Sequence, residues 1–208
     1  MRVILVKKEK AHLTRVAFAG GTELLLDREV CAEKGLCEGT VISEAEVEEI
    51  KGYSDYVRAK NRALWYLDRS DYTEKALYTK LLRAGFDKRA CAAVLARLVE
   101  LGVVDDVRFA ERYAERCVES NISEREALSK MLSKGVPYDI AKSALADLAP
   151  DEAAQIAALI KKKYAYKLTC ERGTEKVFAA LVRRGFSYGA VREAMKKYND
   201  ELEFGEEY

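Results

Sequence analysis

From residue 43 onward, apolar residues in this chain recur at spacings of three and four, the period of amphipathic helices. The first such stretch carries Val47, Ile50, Tyr53, Val57, Leu64 and Leu67. It opens at Ser43 and Glu46, an S-x-x-E capping box in which each side chain serves the other's unpaired backbone N–H. Gly52 marks a point where this helix is expected to bend or break. Eight further stretches follow, with Leu77, Leu81 and Leu82; Val94, Leu95, Leu98 and Leu101; Phe109, Ala110, Tyr113 and Cys117; Ala127, Leu128, Met131 and Leu132; Ile140, Ala144, Leu145 and Leu148; Ile156, Leu159, Ile160 and Tyr164; Val177, Phe178, Leu181 and Val182; and Ala190, Val191, Ala194, Met195 and Tyr198.

One punctuation mark recurs among these stretches. The sequence reads KLLRAGF at 80–86, KMLSKGV at 130–136 and ALVRRGF at 180–186, so Gly85, Gly135 and Gly185 stand fifty residues apart. A glycine there takes the left-handed conformation that ends a helix, and the apolar residue after it folds back on the last turn. Helix starts follow at Asp87, Ser187 and Pro137, the proline being expected in the first turn of its helix. Other starts are expected at Asp105 or Asp106, at Asp151, and at Ser123 with Glu126 as a second capping box. A fixed period of this size marks stacked supersecondary units.

The first fifty residues read differently. A short apolar run at 3–6 and two stretches at 12–19 and 22–26, joined by Gly20-Gly21, predict a β-hairpin with a neighbouring strand. Asp27 caps a short helix over 28–34 that stops at Gly35. The expected fold is mainly α: an elongated array of three tandem three-helix repeats behind a small β-rich N-terminal module. The segments are 1–50 for the module, 51–104, 105–150 and 151–199 for the repeats, and 200–208 for an acidic tail. A fifty-residue unit buries little core alone, so adjacent units gain by packing together. Such an array needs no partner chain, and a monomer is expected.

Charge and composition narrow the chemistry. The net charge is only +1, yet eleven Lys/Arg face three acidic residues between 154 and 198, and the last ten residues hold five acids. The five cysteines form no CxxC pair and the single histidine is His12, so a disulfide framework, a zinc site and a histidine-based catalytic arrangement lack material. There is no GxxxxGK[ST] phosphate loop. The acidic pair Asp105-Asp106 reads as a helix cap. No enzyme, cofactor or metal is expected. The opening apolar run is too short for a signal peptide or membrane span, so the cytoplasm is expected.

What remains is a surface. Opposite its leucines, the second helix of each repeat carries Lys75, Lys80 and Arg83; Arg125, Lys130 and Lys134; and Lys176, Arg183 and Arg184. Lys161, Lys162 and Lys163 add a basic run, and Tyr72, Tyr78, Tyr138, Tyr166 and Tyr188 are interleaved. Basic groups at regular intervals suit a polyanion or a repeating protein lattice, although a solvated helix face produces the same pattern.

The run ALWYLDRSDYTEKAL at 63–77, LLRAGFD at 81–87 and LVELGVVDDVRFAERY at 98–113 resembles the RecX regulatory proteins. The likeness rests on the A-L-x-x-L start, the hydroxyl-Glu cap before leucine, the glycine helix stop, and the stretch formed by Gly102, Val103, Val104, Asp105, Asp106, Phe109 and Ala110. Ala84 and Arg184 stand where a lysine often precedes the glycine; only the second repeat has it, as Lys134. The resemblance implies a non-enzymatic modulator that binds the RecA recombinase filament on single-stranded DNA and suppresses strand exchange and ATP hydrolysis, with contact to the single-stranded DNA as a further element. The alternative is a helix-turn-helix-like protein acting directly on DNA, because three-helix units with a glycine turn also occur there.

Overall fold

The computed structural model describes residues 1–9, 12–168, 170 and 172–205, with the backbone alone described over 199–205. It is mostly helical behind a three-stranded antiparallel sheet, β1 (Val3–Lys8), β2 (Leu13–Phe18) and β3 (Glu23–Asp27), in that order. The hairpin turn falls at Gly20 and Gly21, both at positive φ, and Phe18 N–H donates to the Thr22 carbonyl. β1 outruns its apolar stretch because Lys7 and Lys8 still pair with Arg15 and Thr14.

The sheet buries Val3, Val16, Phe18 and Leu26 against α1 (Arg28–Glu33) and the first half of α2 (Glu44–Leu67). Asp27 accepts the Glu29 N–H to cap α1, and its own N–H donates to Ser54 Oγ at 2.7 Å. That hydroxyl is fully buried and ties the end of the sheet to α2. The Ser43–Glu46 capping box is present on both sides.

α2 runs through Gly52 without a break. The expected segment boundary at 50/51 therefore lies inside a helix, because α2 supplies Val47, Ile50 and Val57 to the first core and Ala59 and Ala63 to the next. By contacts the chain divides into two compact units, Met1–Val104 and Asp105–Tyr208. The first holds the sheet and one three-helix repeat, and the second holds two repeats.

In the first unit, α2 is followed by α3 (Glu74–Arg83) and α4 (Lys88–Glu100), around Leu77, Leu81, Val94, Leu95 and Leu98. The second unit begins with α5 (Asp106–Glu119), α6 (Glu124–Ser133) and α7 (Tyr138–Leu148), closed over Ala110, Ala114, Met131 and Leu145. It continues with α8 (Glu152–Leu159), a π-helical turn (Ile160–Tyr164), α9 (Ala165–Leu168), α10 (Gly173–Arg183) and α11 (Tyr188–Gly205), around Ile156, Ile160, Val177, Leu181 and Val191.

The three glycine stops share one set of bonds. Gly85, Gly135 and Gly185 have φ of +88°, +95° and +94°. The amides of Phe86, Val136 and Phe186 reach back to the carbonyls of Leu81, Met131 and Leu181, and the glycine amides to those of Leu82, Leu132 and Val182. This is the Schellman arrangement, with the apolar residue after each glycine packed into its repeat's core.

Several local expectations are corrected. Tyr53, Leu64 and Leu101 are exposed, and the buried face of α2 adds to the expected Val47, Ile50 and Val57 the small residues Ser54, Ala59 and Ala63, which admit close helix packing. Pro137 is the cap before α7 rather than part of its first turn. Asp105, not Asp106, caps α5, accepting from Val107 and Arg108. Ser123 accepts the Glu126 N–H, but the Glu126 carboxylate turns to Lys130 at 2.7 Å, so no reciprocal box forms.

The π-helical turn was not foreseen. Ile156, Ile160, Tyr164 and Leu168 are four residues apart, a spacing that drifts by about 40° per step on an α-helix of 3.6 residues per turn. A wider turn cancels part of that drift and keeps Tyr164 and Leu168 beside the core. α11 continues past residue 199, so the first part of the expected acidic tail is helical backbone. The carboxylates of Asp200, Glu201 and Glu203, and residues 206–208 with Glu206 and Glu207, lie outside what is described.

Gly85 and Gly185 differ in surroundings. A Cβ at Gly85 meets open space, whereas one at Gly185 lies 2.8 Å from Ser123 Oγ and 3.1 Å from Arg125 Cβ. Gly85→Ala is expected to cost the left-handed penalty of about 1–2 kcal/mol. Gly185→Ala is expected to cost roughly 1–3 kcal/mol more, because it pushes the third repeat off the second. Urea unfolding of the two variants checks the order; equal losses would show that the Ser123 contact yields without cost.

Candidate functional site

The caps that start α3, α6 and α10 decide which way their charged faces point. Thr73 and Ser123 are buried hydroxyls accepting the Ala76 and Glu126 amides. At the third equivalent position, α10 starts on Gly173, which is buried so tightly that a Cβ would lie 2.1 Å from the Lys167 carbonyl. Leu77 and Leu81, Ala127 and Met131, and Val177 and Leu181 then face their cores. The intervening positions turn outward.

The basic residues expected on those faces separate into two groups. Lys75 and Arg83 on α3, Arg125 on α6, Arg183 on α10, and Lys161, Lys162 and Lys163 on the π-helical turn are exposed. Lys176 is exposed too. The others have internal work. Lys80 is half-buried, with its ammonium 4.4 Å from the ring centres of both Tyr66 and Tyr72 and donating to the Tyr72 hydroxyl. Lys130 is half-buried against Glu126, whose hydrogen bond raises the ammonium above its ordinary value. Lys134 lies 5.3 Å from the Tyr113 ring. Arg184 donates to the Tyr164 hydroxyl at 3.4 Å, and its carbonyl accepts from Ser123 Oγ.

The third repeat also breaks the equivalence, because Ala180 stands where Lys80 and Lys130 stand in the others. Of the interleaved tyrosines, Tyr138, Tyr166 and Tyr188 are exposed while Tyr72 and Tyr78 are half-buried. Tyr188 packs edge-on against Phe178. The buried Cys31, Cys91 and Cys117 thiols have their ionisation pushed up by burial and act as small core residues. Among the described residues, no group of three or more His, Cys, Asp and Glu side chains is placed to hold a metal ion, and no helix is long and apolar enough to cross a membrane.

Sequence reasoning missed one feature. Arg62, Trp65, Tyr66 and Arg69 on and just after α2 join Tyr72 and Lys80 in a continuous run of cation–ring contacts. The i, i+3 and i+4 spacing of Arg62, Trp65, Tyr66 and Arg69 was the available signal.

The architecture is that of a tandem three-helix-repeat protein with an N-terminal sheet. The family model for RecX, first three-helix domain, matches residues 59–98. A Regulatory protein RecX from Prosthecochloris aestuarii is 34% identical over 144 residues, covering 68% of this chain and 94% of the relative. Another, from Lactococcus lactis subsp. cremoris, is 28% identical over 83% of this chain and 70% of its own length. A solved chain, the crystal structure of regulatory protein RecX, shares the fold with a TM-score of 0.68 at 20% identity, covering 94% of this chain and 98% of its own. The chain belongs to the RecX family of regulatory proteins.

Lys80 and Lys75 lie on one helix but do different work. Lys80→Ala is expected to lower stability by about 1 kcal/mol through loss of its contacts with two rings, and Lys75→Ala to stay within about 0.5 kcal/mol of the parent. Chemical denaturation of both variants checks this, and equal effects would place Lys80 among the merely solvated residues.

Proposed function

We propose that this protein binds the RecA recombinase filament on single-stranded DNA and inhibits strand exchange and ATP hydrolysis, in the cytoplasm, without catalytic chemistry of its own. The observation that carries the reading is its place in the RecX family, supported by a 34% identical relative matched along nearly its whole length. The chemistry of the surface agrees with it. Each repeat presents basic residues on its second helix, and several weak contacts at a fixed period add up to avidity against a partner that itself repeats.

Lys75, Lys80, Arg83, Arg125, Lys130, Lys134, Lys161, Lys162, Lys163, Lys176, Arg183 and Arg184 remain the proposed contact set, with unequal weights. The exposed residues without an internal task, Lys75, Arg83, Arg125, Arg183 and the lysines of the π-helical turn, meet a partner at little conformational cost. Lys80 and Lys134 would have to leave a ring first, Lys130 a carboxylate and Arg184 a tyrosine hydroxyl.

The deciding measurement is a recombinase ATPase titration on single-stranded DNA, in which the protein is expected to inhibit. Arg183→Glu is expected to weaken inhibition severalfold with an unchanged unfolding profile, because Arg183 is exposed at the end of α10. It is a cleaner probe than Arg184→Glu, which also disturbs the Tyr164 contact. Absence of inhibition by the parent protein would refute the reading; full inhibition by folded Arg183→Glu would place the contact on another face. Equal affinity for bare and recombinase-coated DNA, with a steep salt dependence, would favour the direct DNA-binding alternative.

A further inference from the structure

The second unit carries a polar side chain at a position where packing asks for an apolar one. Gln155 on α8 is only 5% exposed and sits beside the core residues Ile156 and Leu159. Its amide nitrogen is sealed from solvent, and no hydrogen-bond partner reaches it among the described residues. An unpaired buried amide costs stability, and leucine fills similar space without that cost. Packing alone therefore does not account for a glutamine here.

Gln155 lines a groove of about 680 Å3 between the second and third repeats. Leu128, Val182 and Tyr188 give this groove apolar surface, and the last two stand exposed. Glu124 and Arg125, neighbours in the first turn of α6, add a carboxylate and a guanidinium; both are exposed, and neither has an ion pair among the described residues. Two ties across the repeats hold the frame. Ser123 Oγ donates to the Arg184 carbonyl, and the Glu152 carboxylate accepts from both the N–H and the hydroxyl of Ser187 at 2.7 Å. Glu152 is thus committed to the wall. The polar groups left for a ligand are Glu124, Arg125 and the Gln155 amide, on a frame that needs little ordering.

We propose that this groove docks an extended peptide segment. An apolar side chain of the segment lies against Leu128, Val182 and Tyr188. One main-chain carbonyl accepts from Gln155 after a turn of the glutamine side chain, and flanking acidic and basic residues pair with Arg125 and Glu124. A peptide main chain offers acceptors at short regular intervals, and a wall of mixed charge matches a segment of mixed charge. A nucleic acid fits poorly, because two carboxylates line the groove against one guanidinium. The site does not rest on the filament reading and requires no recombinase. Arg125 also belongs to the proposed filament contacts, so Gln155 is the residue to vary.

The probes are blocked pentapeptides with a central leucine flanked by one lysine and one aspartate, in either order. They are titrated into the isotopically labelled full-length protein at low salt and followed by NMR. At least one order is expected to move the Gln155 side-chain amide resonances downfield and saturably. Peptides with glycine in place of the leucine are expected to bind severalfold more weakly. Gln155→Leu is expected to weaken binding about two- to tenfold, the range of one neutral hydrogen bond, and at the same time to raise the urea midpoint by removing the unpaired amide. No change at Gln155 with either peptide at millimolar concentration would overturn the proposal. Gln155→Leu that binds as tightly as the parent, or that is less stable than it, would do the same, because the glutamine would then only serve packing. Equal movement of the Gln155 resonances with oligo-dT would assign the groove to a polyanion. Should Gln155→Leu fail to fold, the parent's Gln155 resonances and the glycine peptides decide between the same outcomes. The assay contains no filament, so its failure leaves the ATPase result standing, and the converse holds.

Discussion

A short helix that must end, reverse and restart within a few residues has to satisfy its last carbonyls without extending. In this protein one device does so repeatedly. A left-handed glycine swings the chain around, two amides return to carbonyls of the preceding turn, and the next apolar residue closes over the end. Because Phe86, Val136 and Phe186 also belong to the cores, the bonds that stop the helix and the packing that stabilises the repeat are the same event. The following cap, Asp87 or Ser187, then launches the third helix at a set angle. Asp87 accepts from Arg89 and Ala90, bonds that hold its carboxyl below the ordinary carboxylate range. The side of each second helix that faces water is determined by this geometry, and the surface chemistry follows from it.

Features that depend on neighbours in the chain were legible in the sequence. Gly85, Asp87, Asp151 and the Ser43–Glu46 pair act through bonds spanning a few residues, so their identity and spacing specify them. Features that depend on two distant segments were not. The hydrophobic pattern assigned Leu64 to the core, whereas Ala59 and Ala63 occupy it. Alanine is weakly apolar, and its value there is closeness of approach, which appears only once another helix packs against it. Ser123 looked like one half of a capping box, yet its hydroxyl also donates to the Arg184 carbonyl sixty-one residues away, and Glu126 is left for Lys130. The role of Gly185 has the same origin: its conformation was readable, and the reason that no side chain fits was not.

The candidate surface divides along the same line. The sequence located the basic residues, since a helical period with buried leucines leaves few other positions for them. It did not show which ones are committed. Lys80 and Lys130 occupy equivalent positions, but one rests on Tyr66 and Tyr72 and the other pairs with Glu126. A cation already held by a ring or a carboxylate must give up that contact to meet a partner, so it contributes less than its charge suggests. An exposed cation loses mainly side-chain freedom.

Periodicity and equivalence are therefore different properties in this chain. The glycine stop and the core positions repeat because the backbone requires them, and substitution there is constrained by φ and by packing density. Positions between the core residues are not held by φ or by burial in a core to the same degree. At one of them the three repeats have Lys80, Lys130 and Ala180, and at another Ala84, Lys134 and Arg184. The three second helices therefore share a backbone pattern but carry different chemistry at corresponding positions. Among the described residues, only the first repeat adds a tryptophan between two arginines, and only the third has a π-helical turn bearing three consecutive lysines. The backbone geometry thus repeats at the glycine stops and in the cores, and the departures from the repeat fall on the positions between them.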